Sequence, residues 1–507
     1  MDLDAALAEL AVTPVAADAP LSVHRLDNGL TVYVLEDHRA PVVAHSLWYR
    51  AGSIDETSGV TGVAHVLEHM MFNGTNRYGP GEYDKQMQAL GAYANALTWT
   101  DYTAYTVEAP ARHLGAIMSL EAERMSRLAI DDAEFAREIR VIMEERRQST
   151  DDDPSGLLFE QLYATAFHAS PQRWPIIGWM SDLESMTADD ARAWYRQWYR
   201  PDNAVLVIAG DVAPDQVLAL ARDHYGDIPS DTGAPLPTRR AQHEPEQGGT
   251  RRVTVRAYVP TPQLALGFKA PRLHRAQPGG TPAQAALDED VFALAILAEL
   301  LDWGRVLETA LVRKRRLADE AWASFDYLMR APGLFTIGAV CAADVSPARV
   351  ERALCDAVAA VARDGIDEAS LRRVRMQMMA SRLYRADSVF EQAEEVGRLA
   401  MLGFGDDARV IDARLAAVTT AQVQSVARRY FRPETMTVAL LVPANEDTGD
   451  EPDEHVEVIA PTHAGGATQH AGAAAAAQCD GDATNGAASP IRQSGQALAR
   501  TGGRMSG

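Results

Sequence analysis

Within Val60–Gly74, VTGVAHVLEHMMFNG, residues His65, Glu68 and His69 stand in the order HxxEH. Thr61 as N-cap and Asn73-Gly74 as a stop predict a helix of about three turns between them. At 100° per residue, Val63, Val66, Leu67, Met70 and Met71 gather on one side, and His65, Glu68 and His69 on the other. The first face wants a core; the second does not. Imidazoles four positions apart on a helix can reach one ion without bending the backbone. Glu68 lies on the same side of the helix, near enough to hold a water on that ion without being a ligand. The pattern is the inverted form of the HExxH zinc motif.

Two histidines and a water leave a zinc site one protein ligand short, and a carboxylate is the common catalytic completion. The segment Asp132–Gln148, DAEFAREIRVIMEERRQ, reads as a helix with Phe135, Ile139 and Ile142 as its buried stripe. Glu138, Val141 and Glu145 run along an adjacent face, whereas Glu144 points about 100° away, towards Arg137 and Arg140. Glu145 is therefore the expected third ligand. Glu138 is the expected carboxylate that orients a ligand or a water.

HVLEHMMFNGT, with Glu145 76 positions after His69, resembles the pitrilysin and insulysin family of zinc endopeptidases, most closely its shorter branch, which includes the mitochondrial processing peptidase. The likeness runs from about Leu26 to about Val442 and includes NALTWTDYTAY from Asn95, LEAERM from Leu120 and RWPIIGWMSDLESMTADDARAWYRQWYRPDNAVLVIAGDV from Arg173. It implies an α+β fold of two homologous α/β-sandwich halves enclosing a cleft, with one Zn²⁺ per chain. It also implies that the NAxT segment, matched by Asn95 and Ala96, holds a peptide by backbone hydrogen bonds. From the residues alone, Asn95–Val107 is a strand rich in Thr, Tyr and Trp.

The elements that must position this chemistry are organised as a repeat. Leu21–Tyr49 alternates in the manner of strands, with Asp27-Asn28-Gly29 as a hairpin turn. Met186–Pro201 aligns without a gap on Val418–Pro433 at an offset of 232 residues, and an apolar strand follows each. The expected organisation is an N-terminal extension (1–20), a zinc-bearing domain (21–229), a linker (230–250), a homologous domain without zinc (251–444) and a disordered tail (445–507). The second half's counterpart of the motif helix, VFALAILAELL from Val291, has no histidine, and Glu299 there has no metal-binding neighbour. Related proteins present an Arg and a Tyr near LVRxxxxLAY; here LVRKRRLADEAWASF offers Arg313, read as a surface residue, and Asp319 stands near the Tyr position.

A chain of 507 residues is too long for one core, and its net charge of -22 argues against nucleic acid as a partner. No apolar run reaches a membrane span. Three cysteines (Cys341, Cys355, Cys479) make no disulfide framework, and the N-terminus lacks the pattern of a secretory signal, so the expected location is the cytoplasm, or the periplasm if an export signal was removed. The tail histidines His455, His463 and His470 read as solvated. The expected activity is zinc-dependent hydrolysis of short or unstructured peptides, such as leader or targeting segments, with Glu68 as general base. The expected assembly is a heterodimer with a homologue lacking HxxEH, or a homodimer. The alternatives are a binding or scaffold subunit on the same fold and a structural zinc protein.

Overall fold

The structure is a computed structural model that describes residues 21–231, 235–237, 244–273, 282–405, 408–444 and 456–459. Strands β1 (Leu21–Arg25) and β2 (Thr31–Glu36) close on the expected turn, where Gly29 takes a φ of 93°. Asn28 in that turn donates its side-chain amide to the carbonyls of Tyr225 and Ile228, tying the hairpin to a helix end. With β3 (Val42–Tyr49), β4 (Tyr93–Thr98), β5 (Thr103–Pro110) and β6 (Ala204–Gly210), they form a sheet of order β1-β2-β6-β3-β5-β4. The expected single strand Asn95–Val107 is instead the β4–β5 hairpin, closed by a bond from the Trp99 amide to the Tyr102 carbonyl. Thr, Tyr and Trp carry strand propensity straight through the turn, and only Asp101 marks it in the sequence.

The second sheet repeats the first. Strands β7 (Arg251–Ala257), β8 (Gln263–Lys269), β9 (Ala318–Phe325), β10 (Leu334–Cys341), β11 (Met436–Pro443) and β12 (Val456–Ile459) lie in the order β12-β7-β11-β8-β10-β9. The 232-residue offset holds in detail: helix Ala188–Trp198 answers to Thr420–Tyr430, turn Pro201–Asn203 to Pro433–Thr435, and β6 to β11. Both helices start with the same device, Thr187 with Asp190 and Thr419 with Gln422, each pair bonding reciprocally across the first turn. Strand β12 corrects the expectation of a wholly disordered tail: the β-branched run VEVI adds in parallel to β7. The remaining tail, with its three histidines and Cys479, lies outside the described residues, as do residues 1–20.

The halves exchange helices. One face of the first sheet carries its own helices, including the motif helix, around a core of Leu47, Leu67, Leu206 and Ile208. Its other face is covered by Val389–Met401 from the second half, whose Ala393, Val396, Ala400 and Met401 pack on Trp48, Val205 and Val207. Reciprocally, Pro154–Ala166 of the first half lays Leu157, Leu158 and Leu162 on Val253, Val255 and Leu441 of the second sheet. Strand β6 is apolar on both sides because both sides are covered. Among the described residues no helix is long and apolar enough to cross a membrane.

Candidate metal centre

The motif helix runs over Val63–Met70 and begins at Gly62, which takes a φ of 88°. Thr61 is not its cap. The carboxylate of Glu56 accepts from the amides of Gly62 (2.8 Å) and Ala64 (3.0 Å), filling the place expected of Thr61. The Thr61 hydroxyl and amide donate to Asp182 Oδ2 (2.7 and 3.0 Å), and that hydroxyl accepts from the Trp179 amide (3.0 Å). Glycine is required at the entry by close approach as well: a Cβ on Gly62 would sit 2.5 Å from the Ile177 carbonyl oxygen. At the exit, Arg124 donates to the Met71 carbonyl (3.4 Å) while its guanidinium pairs with the buried Glu121 (2.7 Å).

Val66, Leu67 and Met70 are fully buried, as the apolar stripe requires. The polar face is buried too, with His65, Glu68 and His69 only 3%, 5% and 8% exposed. The expectation that this face needs no cover is therefore corrected: helix Asp132–Arg146 and strand β4 pack beside the motif helix.

His65 Nε2 lies 3.8 Å from Glu145 Oε1, and His69 Nε2 lies 3.4 Å from Glu145 Oε2. The donor atoms of these three residues all fall within 4.8 Å of one another, the only such group among the described residues. His69 Nδ1 donates to Glu138 Oε1 (2.8 Å), whose other oxygen accepts from Asn73 Nδ2 (3.1 Å). Burial, reinforced by the neighbouring His69, holds His65 down at about 4 and so neutral. Burial alone would lower His69 as well, but the Glu138 and Glu145 carboxylates outweigh it and push that imidazole up to about 10. The space between His69 Nε2 and Glu145 thus favours a positive charge.

A four-coordinate zinc with bonds of about 2.0–2.1 Å separates its ligand atoms by roughly 3.3 Å. The nitrogen-to-oxygen distances of 3.4 and 3.8 Å lie close to that spacing, and two neutralisable imidazoles with one carboxylate are a suitable donor set. The residues fit the ion.

Glu68 accepts a hydrogen bond from Thr98 Oγ1 (2.5 Å), the last residue of β4. Burial pushes its carboxyl up to about 7, opposed by His69 and by that hydroxyl. Asn95 and Ala96 lie on the same strand, opposite Thr106 and Tyr105 of β5. Strand β4 is outermost, so one edge of it is unpaired by any strand among the described residues. Glu144 departs from expectation: it accepts from Arg147 (3.1 Å) and Gln148 (3.2 Å), while Arg137 pairs with Glu134 one turn earlier. Arg313 is exposed and bonded to Glu308 (2.7 Å), and Asp319 is exposed on β9. Reading the sequence alone missed Glu56, Asn73 and Thr98. Only the last had a usable signal, the register that puts Thr98 on the same face of β4 as Ala96.

The profile of the insulinase family (peptidase family M16) matches residues 31–178, and that of the peptidase M16 inactive domain matches residues 185–378. The zinc protease PqqE of Helicobacter pylori is 33% identical over 302 residues, covering 59% of this chain and 65% of that protein, a little under two thirds of its length. The uncharacterized zinc protease ML0855 of Mycobacterium leprae is 30% identical over 68% of this chain and 75% of that protein. A probable mitochondrial-processing peptidase subunit beta of Arabidopsis thaliana is 24% identical over 84% of this chain and 78% of its own length. The crystal structure of a protease from Helicobacter pylori superposes with a TM-score of 0.78 at 26% identity, covering 84% of this chain and all of that one.

Proposed function

The chain belongs to the insulinase family, peptidase family M16, and from that membership we propose that it is a zinc-dependent endopeptidase acting on short or unstructured peptides. The observation that carries the reading is the convergence of His65, His69 and Glu145 within 4.8 Å, with the buried Glu68 on the same helix.

His65, His69 and Glu145 would hold one zinc ion, whose Lewis acidity polarises a carbonyl and acidifies a water. Glu68 takes the proton from the attacking water and returns it to the leaving amine. Thr98 holds Oε2 of Glu68 and so fixes the carboxylate for that transfer. Glu138 fixes the ring of His69 through Nδ1, so that Nε2 faces Glu145. The open edge of β4, with Asn95 and Ala96, supplies backbone groups that can pair with an extended peptide largely without regard to its side chains.

Because Arg313 is engaged at the surface and Asp319 stands near the Tyr position, the groups that grip the scissile carbonyl are assigned to a second subunit. A homologue lacking HxxEH is the proposed partner, with a second copy of this chain as the alternative. The similarity to a processing-peptidase beta subunit supports this assignment. The test is metal content together with cleavage of an unstructured peptide library, by the chain and by its Glu68→Gln variant, each alone and mixed with a homologous subunit lacking HxxEH. One zinc in both proteins, with cleavage lost in the variant, is expected. A chain that takes up no zinc overturns the reading, and full activity of the isolated monomer overturns the two-subunit part.

A further inference from the structure

We infer that the second half, which carries no metal ligand, positions the metal site directly through a buried ion-pair strut at Arg330. It does so indirectly through the first-half helix Pro154–Ala166 docked on its sheet, which a second strut at Arg146 ties to the ligand-bearing helix. The inference rests on the zinc-site reading above.

The first strut enters from the β9–β10 loop. Arg330 Nη2 donates to Asp55 Oδ2 (2.6 Å) and to the Asp101 carbonyl (3.0 Å), and the Arg330 amide donates to the Asp101 carboxylate. Asp55 and Asp101 are only 6% and 1% exposed in their side chains. Asp55 precedes Glu56, the carboxylate that caps the motif helix, and Asp101 follows three residues after Thr98, the hydroxyl that holds Glu68. One guanidinium from the second half therefore fixes the segment on each side of Glu68. Its own loop is pinned, since Arg272 donates to the Arg330 carbonyl (2.7 Å) and Arg398 grips Asp326 (2.6 and 2.7 Å).

The second strut reaches the other ligand-bearing helix. Arg146, adjacent in sequence to Glu145, donates to both oxygens of Glu160 (2.8 and 3.2 Å) and to the Gly178 carbonyl (2.9 Å). Glu160 sits on Pro154–Ala166, the helix docked on the second sheet, and Gly178 packs on Gly62 at the entry of the motif helix. Neither arginine touches a metal donor, so each acts through the residue beside it.

The test compares Arg330→Met and Arg330→Lys with Val396→Ala, a truncation in the exchanged helix that weakens the same docking without touching a strut. Zinc affinity is read by chelator competition on the full chain, kcat and KM on a peptide, and amide exchange of residues 62–66 on the zinc-free chain. Arg330→Met is expected to weaken zinc binding and to lower kcat roughly tenfold each, to leave KM within about twofold, and to speed exchange at residues 62–66. Arg330→Lys should recover part of each. Val396→Ala should lower thermal stability and move none of them. If Arg330→Met matches Val396→Ala in affinity and exchange at equal stability loss, the strut is only structural and the inference falls. If the wild type binds no zinc, the proposed function fails, while the exchange comparison still decides the strut.

Discussion

Removing the carboxylate behind His69 isolates what orientation contributes to the site. Glu138 accepts from His69 Nδ1 at 2.8 Å and from Asn73 Nδ2 at 3.1 Å, with its side chain 20% exposed. A hydrogen bond to a charged partner contributes about 1.5–3 kcal/mol, a neutral one about 0.5–1.5 kcal/mol. Glu138→Gln keeps one acceptor oxygen but turns an NH₂ group towards one of the two donors. It should therefore forfeit about 1–2 kcal/mol, close to tenfold in zinc affinity. Glu138→Ala leaves both donors bare and frees the imidazole to rotate away from Glu145. Its expected loss is nearer the upper end of the roughly 10–100-fold range for groups that orient metal ligands. Competition against a chromophoric chelator near neutral pH measures both, with circular dichroism checking that each variant is folded. Zinc affinity of Glu138→Ala equal to wild type, or weaker binding by Gln than by Ala, would refute the argument that this carboxylate sets the ring.

Glu68→Gln should retain zinc and lose roughly a hundredfold to ten-thousandfold in kcat, the usual contribution of a positioned general base; loss of the metal in that variant would count against the assignment. Thr98→Val removes a hydrogen bond that favours the ionised form of Glu68, so the acid limb of the kcat–pH profile should move to higher pH with zinc content unchanged. Glu299, which burial and then Asp302 push up to about 7, makes folding less favourable as pH rises from the unfolded carboxylate range towards 7. Glu299→Gln should accordingly be more stable than wild type above pH 7, by up to about 3 kcal/mol, and equal to it near pH 4; a difference independent of pH in urea titrations would exclude this cause. Gly397→Ala places a methyl 2.1 Å from the buried Trp48 ring. Overpacking of about 1–3 kcal/mol, less about 1 kcal/mol of helix propensity, should lower stability by up to about 2 kcal/mol.

What could be read from the sequence is what repeats at the period of one element. Histidines at i and i+4 fix a helix face whatever surrounds it, and Glu138 and Glu145 share a face of their own helix on the same ground. The 232-residue offset was visible because cap, turn and strand recur together, each set by local chemistry. Pairings across the chain were not visible. Arg330 meets Asp55 at a separation of 275 positions, and nothing in either segment names the other. An apolar stripe on Pro154–Ala166 predicts burial but not which sheet buries it, so the exchange of helices was hidden as well. The repeated strand order also shows what the second half has kept. Its long helix Pro282–Leu301 carries no histidine and buries Leu297 and Leu301 in the core, while the strand order and the exchanged helix persist. A half without metal ligands that keeps its docking surfaces and the loop of Arg330 serves position rather than chemistry. That is the property the two struts require of it.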